Sequence, residues 1–194
     1  TGNALNFVVP TGNLGNALAC LLAKRLGLPI GEIVLASNAN DVLPAFFAGA
    51  EYAPRASIAT LANAMDVGAP SNFERLQWLY PDAAELRRVL RAEAVGDDAI
   101  RQAILRTRAT REYIACPHTA CAAEVLDRLR ARDEQGDWAV VATAHPAKFP
   151  EVVEPLLGDA VALPPALQAM LDRPSSAEPL ANNEDVLRAR LRDW

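Results

Sequence analysis

A chain of 194 residues that is 51% apolar and carries no long polar tract has the material for one substantial core. Its net charge of −5 is spread as arginines among acids without a basic stripe, which excludes the footprint of a nucleic-acid binder and leaves room for a small anion held locally. No apolar segment nears the ~18–20 residues of a membrane span, and the opening TGNALNFVVP has neither the basic flank nor the cleavage pattern of a signal peptide, so the cytoplasm is the expected compartment.

The chain opens on Thr1 rather than methionine and enters a strand within six residues, so a fragment of a longer protein is expected. The β-branched run 7–9 (FVV) predicts that strand, and the alanine- and leucine-rich rhythm of 17–26 predicts a helix. Between them lie Pro10 and the loop Thr11, Gly12, Asn13, Leu14, Gly15, Asn16. Phosphate groups sit on such loops because a helix's first turn has amides without partners and the positive end of the backbone dipole. Gly12 and Gly15 are expected to supply permissive dihedrals, and Asn13 and Asn16 to tolerate left-handed backbone and donate hydrogen bonds. The spacing matches neither a nucleoside-triphosphate loop nor GxGxxG. Two readings therefore stay open, a phosphate cradle and an ordinary strand-to-helix turn.

After a stop at 27–29 (GLP), residues 32–36 (EIVLA) read as a second buried strand and complete one right-handed βαβ unit. The segment 37–41 (SNAND) lies at that strand's carboxyl end and opens a helix over 42–48. It faces the same side as the first loop, the side on which parallel α/β sheets bind ligands.

Residues 63–70 read as loop. Ser71 and Glu74 fit a capping box that starts a helix through Leu79, with a direct ligand role as the alternative. The spacing of Leu86, Val89 and Leu90, and of Ile100 and Ile104, predicts amphipathic helices over 85–94 and 98–108. A brief strand over 113–116 precedes a proline, a helix runs from His118 to about Arg132, and 138–142 (WAVVA) is a strand with 143–149 (TAHPAKF) at its carboxyl end. A polar link over 173–183 leads to a last amphipathic helix.

Strands alternating with helices, without internal repeat, give the fold class: α/β, with an open, mostly parallel twisted sheet and helices on both faces. Residues 1–172 are expected as one α/β domain and 173–194 as link and helix. If their strands neighbour each other, the loops GNLGN and TAHPAKF frame one crevice. By residue type Lys148, desolvated there, is a Schiff-base candidate. Lys24 reads as a solvated helix lysine, and His118 and His145 either touch substrate or make structural hydrogen bonds. Cys20, Cys116 and Cys121 form no CxxC pair and are read as small core residues, with no disulfide framework and no metal site.

The motifs PTGNLGN, SNANDVL, AMDVGAPSNFERL, PHTA and TAHPAKFP, in this order from Asn6 to about Leu171, resemble threonine synthase. That family has the pyridoxal-phosphate fold shared by the tryptophan synthase β chain and cysteine synthase. The resemblance implies that Gly12, Asn13, Leu14, Gly15 and Asn16 cradle the 5′-phosphate of pyridoxal phosphate and that Thr143 stands beside its ring nitrogen. It makes 1–172 the cofactor-anchoring domain, lacking its upstream part. It implies conversion of O-phospho-L-homoserine and water to L-threonine and phosphate. The lysine that carries the cofactor is expected upstream, in a portion this chain does not contain, and Lys148 belongs to the TAHPAKF motif and not to that position. Asn38, Asn72 and Arg75 are candidate contacts to the substrate's phosphate or carboxylate. Leu14 stands where the family usually has an aromatic residue, and Cys116 where an acidic residue often precedes PHTA. The expected partners are the substrate and the missing amino-terminal part, and the piece alone is expected to be inactive, with an exposed sheet edge that favours self-association. Two rivals remain, another pyridoxal-phosphate lyase of the same fold and a noncatalytic phosphate-binding α/β module.

Overall fold

The computed structural model describes residues 4–192, so residues 1–3, Thr1 among them, and 193–194 lie outside the described residues. Four strands, β1 (Leu5–Pro10), β2 (Ile30–Ser37), β3 (Arg91–Ala94) and β4 (Trp138–Val140), form one parallel sheet in the order β3-β2-β1-β4. β1 and β2 are buried apolar runs, the composition a parallel sheet covered on both faces requires. Side-chain alternation sorts them between two cores. Val9, Ile33 and Leu35 enter one core, which is closed by α1 (Gly15–Arg25), α2 (Val42–Phe47), α3 (Phe73–Leu79) and α4 (Ala83–Val89) through Leu18, Leu21, Phe46, Phe73 and Leu86. Val8 and Val34 enter the other, closed by α5 (Asp97–Arg111), α6 (Pro117–Ala131) and α7 (Pro150–Leu157) through Ile100, Ile104, Val125, Leu129 and Val153. Each fully buried side chain of this kind stabilises the fold by about 1.5–3 kcal/mol.

Register places the functional end of the sheet. Val8 is level with Val34 on one side and Val140 on the other. The Val141 amide donates to the Val8 carbonyl at 3.0 Å, so β1 and β4 deliver their following loops to one edge.

Three local expectations give way. The helix expected over 85–94 ends at Val89, because Leu90 turns extended (φ −133°, ψ 148°) and Arg91–Ala94 pairs with β2 from Val34 to Ser37. Arg, Ala and Glu favour helices intrinsically, but an open edge of a buried parallel strand offers a ladder that outweighs this preference. Residues 113–116 make no strand; the segment runs extended into α6, where Pro117 takes the first helical position and the Cys116 sulfur accepts the Thr119 amide at 3.4 Å. The capping box of Ser71 and Glu74 is also absent. Asn72 is the residue before α3, without a side-chain cap, and the Ser71 hydroxyl donates to Asn13 Oδ1 instead.

The cysteines are free; Cys116 and Cys121 are fully buried and Cys20 half-buried. No helix among the described residues is long and apolar enough to cross a membrane. The chain divides into two compact units at Val161 and Ala162. The second contains α8 (Pro165–Leu171) and α9 (Glu184–Arg192), with Arg190 paired to Glu178 at 2.6 Å.

Candidate functional site

The loop after β1 starts inside the sheet. The Thr11 amide still donates to Ala36 in the ladder (2.9 Å), and its hydroxyl turns back to the Val9 carbonyl (2.7 Å). From Gly12 to Ala17, by contrast, the backbone amides have no acceptor among the described residues, and the first bond of α1 is from Leu18 to the Leu14 carbonyl. The left-handed residue is Leu14, with φ 64°, rather than Gly12 or Gly15 as the sequence led one to expect. An L-residue there costs about 1–2 kcal/mol, but the Leu14 side chain is only 1% exposed and its burial offsets that. A left-handed residue leading into a helix turns consecutive N–H groups to one side, forming an anion-binding nest.

Gly12 has a different task. A Cβ on Gly12 would lie 2.7 Å from Met65 Cα, so its missing side chain lets the turn Asn63–Met65 close against the loop. Asn13 is held from outside: its Oδ1 accepts from the Ser71 amide (2.6 Å) and hydroxyl (3.0 Å), and its carbonyl accepts from Asn72 Nδ2 (2.7 Å). Asn13 Oδ1 thus accepts hydrogen bonds, where a donating amide was expected.

Asn38, a candidate substrate contact by sequence, is fully buried. Its Nδ2 donates to Asp66 (2.7 Å) and Thr60 (2.8 Å), and its Oδ1 accepts from the Asn40 amide (2.9 Å). Asn72 ties down Asn13, and Arg75 and Glu74 lie exposed on α3.

A cleft of about 220 Å³ opens at this edge of the sheet. Gly12, Asn13, Leu14, Gly15 and Asn16 form one wall, and Thr143 from the loop after β4 joins them with Ala64, Met65 and His118. The structure therefore brings together all six residues singled out for the cofactor. His118 is 3% exposed, and its Nε2 accepts the Ala64 amide at 3.1 Å. Burial, assisted by the Lys148 charge and opposed by Asp66, pushes its pKa below the ordinary histidine value. The role of Ala64 and Met65 as a floor for the loop was missed from sequence; the only signal is that Gly12, not needed for its dihedral, must be needed for its size. His145 Nδ1 accepts the Ala147 amide (3.2 Å) and caps the turn Pro146–Lys148. Lys148 is exposed, and Lys24 donates to the Gly31 carbonyl. Among the described residues no group of histidine, cysteine and carboxylate side chains is arranged to hold a metal.

The chain matches the family model described as pyridoxal-phosphate dependent enzyme over residues 1–147, and that described as threonine synthase, C-terminal, over residues 119–190. It is 38% identical over 190 residues to a threonine synthase of Serratia marcescens, covering 97% of this chain and 43% of that protein. The crystal structure of threonine synthase from Escherichia coli superposes on all of this chain with a TM-score of 0.79 and 36% identity, covering 44% of that structure. A pyridoxal-phosphate-bound threonine synthase from Brucella melitensis gives a TM-score of 0.81 and 30% identity over 98% of this chain and 46% of its own. The chain thus spans less than half the length of the relatives it matches. The first of these matches spans both the loop Gly12–Ala17 and Thr143, and the chain belongs to the pyridoxal-phosphate-dependent enzyme family, with threonine synthases as its relatives there.

Proposed function

We propose that this chain is the carboxyl-terminal portion of a threonine synthase, which converts O-phospho-L-homoserine and water to L-threonine and phosphate, and that its cleft anchors pyridoxal phosphate. One observation carries the reading: consecutive amides from Gly12 to Ala17 without acceptors, at the amino end of α1, in the same cleft as Thr143. A dianionic phosphate ester satisfies those donors and the helix dipole together.

The residues fit the cofactor. Gly12, Asn13, Leu14, Gly15 and Asn16 hold its phosphate by backbone amides, and Thr143 is assigned to its ring nitrogen. When bound, pyridoxal phosphate supplies an electron sink for the substrate's α-carbon and, through proton shifts, its β-carbon, so that phosphate leaves the γ-carbon and water adds at the β-carbon. Thr143 would offer the ring nitrogen a neutral hydroxyl, which would restrain protonation there. Ser71 and Asn72 fix Asn13 and keep the loop in shape.

Neither lysine of the chain is placed to carry the cofactor. Lys24 spends its ammonium on Gly31, and Lys148 lies on the exposed turn after the cleft and does not line it. On this reading the first unit, up to Val161, anchors the cofactor and is completed by an amino-terminal portion of the protein. Among the described residues β4 pairs only with β1, and beside it opens an apolar cavity of about 320 Å³ lined by Tyr113, Leu126, Val140 and Ala142, a surface for that portion to cover. The free thiols of Cys20, Cys116 and Cys121 suit a reducing compartment, the cytoplasm on this reading.

The test is phosphate release from O-phospho-L-homoserine by the chain alone and by the chain joined to the unmatched amino-terminal part of the Serratia marcescens relative. Release only from the joined protein is expected. Turnover by the chain alone, or a joined protein that folds and binds pyridoxal phosphate but never releases phosphate, would contradict the proposal.

A further inference from the structure

His118 is a buried base that the chemistry above does not use. Its Nε2 accepts the Ala64 N–H at 3.1 Å, which requires that nitrogen to be unprotonated and places the ring proton on Nδ1, 4.0 Å from Cys116 Sγ. Ala64 belongs to the turn Asn63–Met65, and the Met65 backbone abuts Gly12 so closely that a methyl group would not fit. His118, Ala64, Met65 and Gly12 all line the one cleft. A continuous chain of contacts thus runs from the imidazole through the turn to the loop that presents the open amides.

We propose that His118 is a positioning residue for the phosphate loop, which it holds in its open-amide shape through the Asn63–Met65 turn, and that it does so only as the neutral imidazole. This rests on the phosphate-anchoring reading of the loop. Protonation would set an Nε2–H donor against the Ala64 donor, leaving both unpaired in a buried place, and the turn would withdraw its support from Gly12. The groups facing the ring are Cys116 on its own helix, Asp66 beyond the turn, and Lys148 with the Phe149 ring (centroids 4.8 Å apart) from the segment after β4. Burial and Lys148 favour the neutral ring and Asp66 opposes them, so the device stays engaged at neutral pH and fails on acidification.

The experiment compares the chain with His118→Gln and His118→Ala. Gln keeps an acceptor where Nε2 stands and does not titrate. Pyridoxal phosphate is titrated by fluorescence from pH 7.5 to pH 5, and backbone amides of the ligand-free chain are followed by NMR over the same range. The ester's own second ionisation, near pH 6, weakens binding in every variant alike. Beyond that shared loss, the wild type is expected to lose up to about tenfold in affinity per pH unit below the His118 pKa, and His118→Gln nothing. His118→Ala should bind weakly at every pH, with Gln restoring binding. In the ligand-free chain the Ala64 and Gly12 amides should titrate with the imidazole. Parallel pH profiles for wild type and His118→Gln, or a Gly12 amide that stays still while His118 titrates, would overturn the proposal. Failure of all variants to bind pyridoxal phosphate at pH 7.5 would instead overturn the phosphate reading, and the ligand-free titration would then decide the role of His118 by itself. If His118→Ala does not fold, the Gln variant and the amide titration carry the test.

Discussion

Two polar loops leave adjacent parallel strands at the same edge of the sheet, and their fates differ. The asparagines after β2, Asn38 and Asn40, turn inward and are saturated by Asp66, Thr60 and neighbouring backbone. The loop after β1, equally rich in asparagine, leaves its amides from Gly12 to Ala17 without an acceptor among the described residues. Buried polar groups in folded proteins are paired almost without exception. The saturated loop is a strut, and the unsaturated one is the loop to which the proposed function assigns a phosphate. Position at the carboxyl edge of a parallel sheet marks both loops; only the state of their hydrogen bonds tells them apart.

Breaking the strut should have the largest effect. Asp66 accepts from Asn38, Asn40 and from both the amide and hydroxyl of Thr60, so Asp66→Ala strands several part-buried donors and is expected to destabilise the chain by about 3 kcal/mol in chemical denaturation. Gly12→Ala forces a Cβ against the Met65 backbone. It should cost about 2 kcal/mol by overpacking and weaken pyridoxal phosphate binding tenfold or more, measured by fluorescence titration. Leu14→Gly separates backbone from side chain: relief of the left-handed strain is about 1–2 kcal/mol, loss of a buried leucine about 2–5 kcal/mol. A net destabilisation of about 2 kcal/mol in thermal unfolding is expected, whereas a stabilised variant would show that the dihedral, and not the packing, dominates. Ser71→Ala removes one of two exposed hydrogen bonds to Asn13 Oδ1 and should change stability by about 0.5–1 kcal/mol, with a small loss of binding.

The pH dependence sharpens the same contrast. With its folded pKa depressed by burial, neutral His118 contributes stability that is fully present above the unfolded value of about 6.5 and is lost as pH falls through the lower folded value. Cys116→Asp would put a carboxylate beside Nδ1 and raise that folded value toward the unfolded one, narrowing the window and shrinking the loss of stability on acidification. The position suits an acid, since Cys116 already caps α6 through its sulfur.

The sheet and most helices were legible because β1, β2 and α6 carry one period each with a clear stop. Burial of Val8, Val9 and Leu35 on two faces follows from a β-branched run too short to be a helix. What misled was local preference. Arg91–Ala94 reads as helix until the free edge of β2 claims it, and Ser71 reads as a cap until Asn13, 58 positions away, claims its hydroxyl. At the site, Gly12–Asn16 and Thr143 were legible only through the family resemblance, since glycine and asparagine before a helix also suit an ordinary turn, and Ala64 and Met65 carried no local signal. The division of labour within the loop was not legible: that Gly12 serves by its size and Leu14 by its dihedral depends on Met65 and on a core no local pattern encodes.

The claim on which the rest stands is best met by titrating pyridoxal phosphate into the isotopically labelled chain at pH 7.5 and following every backbone amide by NMR. The resonances of Gly12 through Ala17 should shift together and saturate at one concentration, while the side-chain amides of Asn38 and Asn40 stay in place. Shifts centred on any other surface, or none within the loop at saturation, would contradict the assignment.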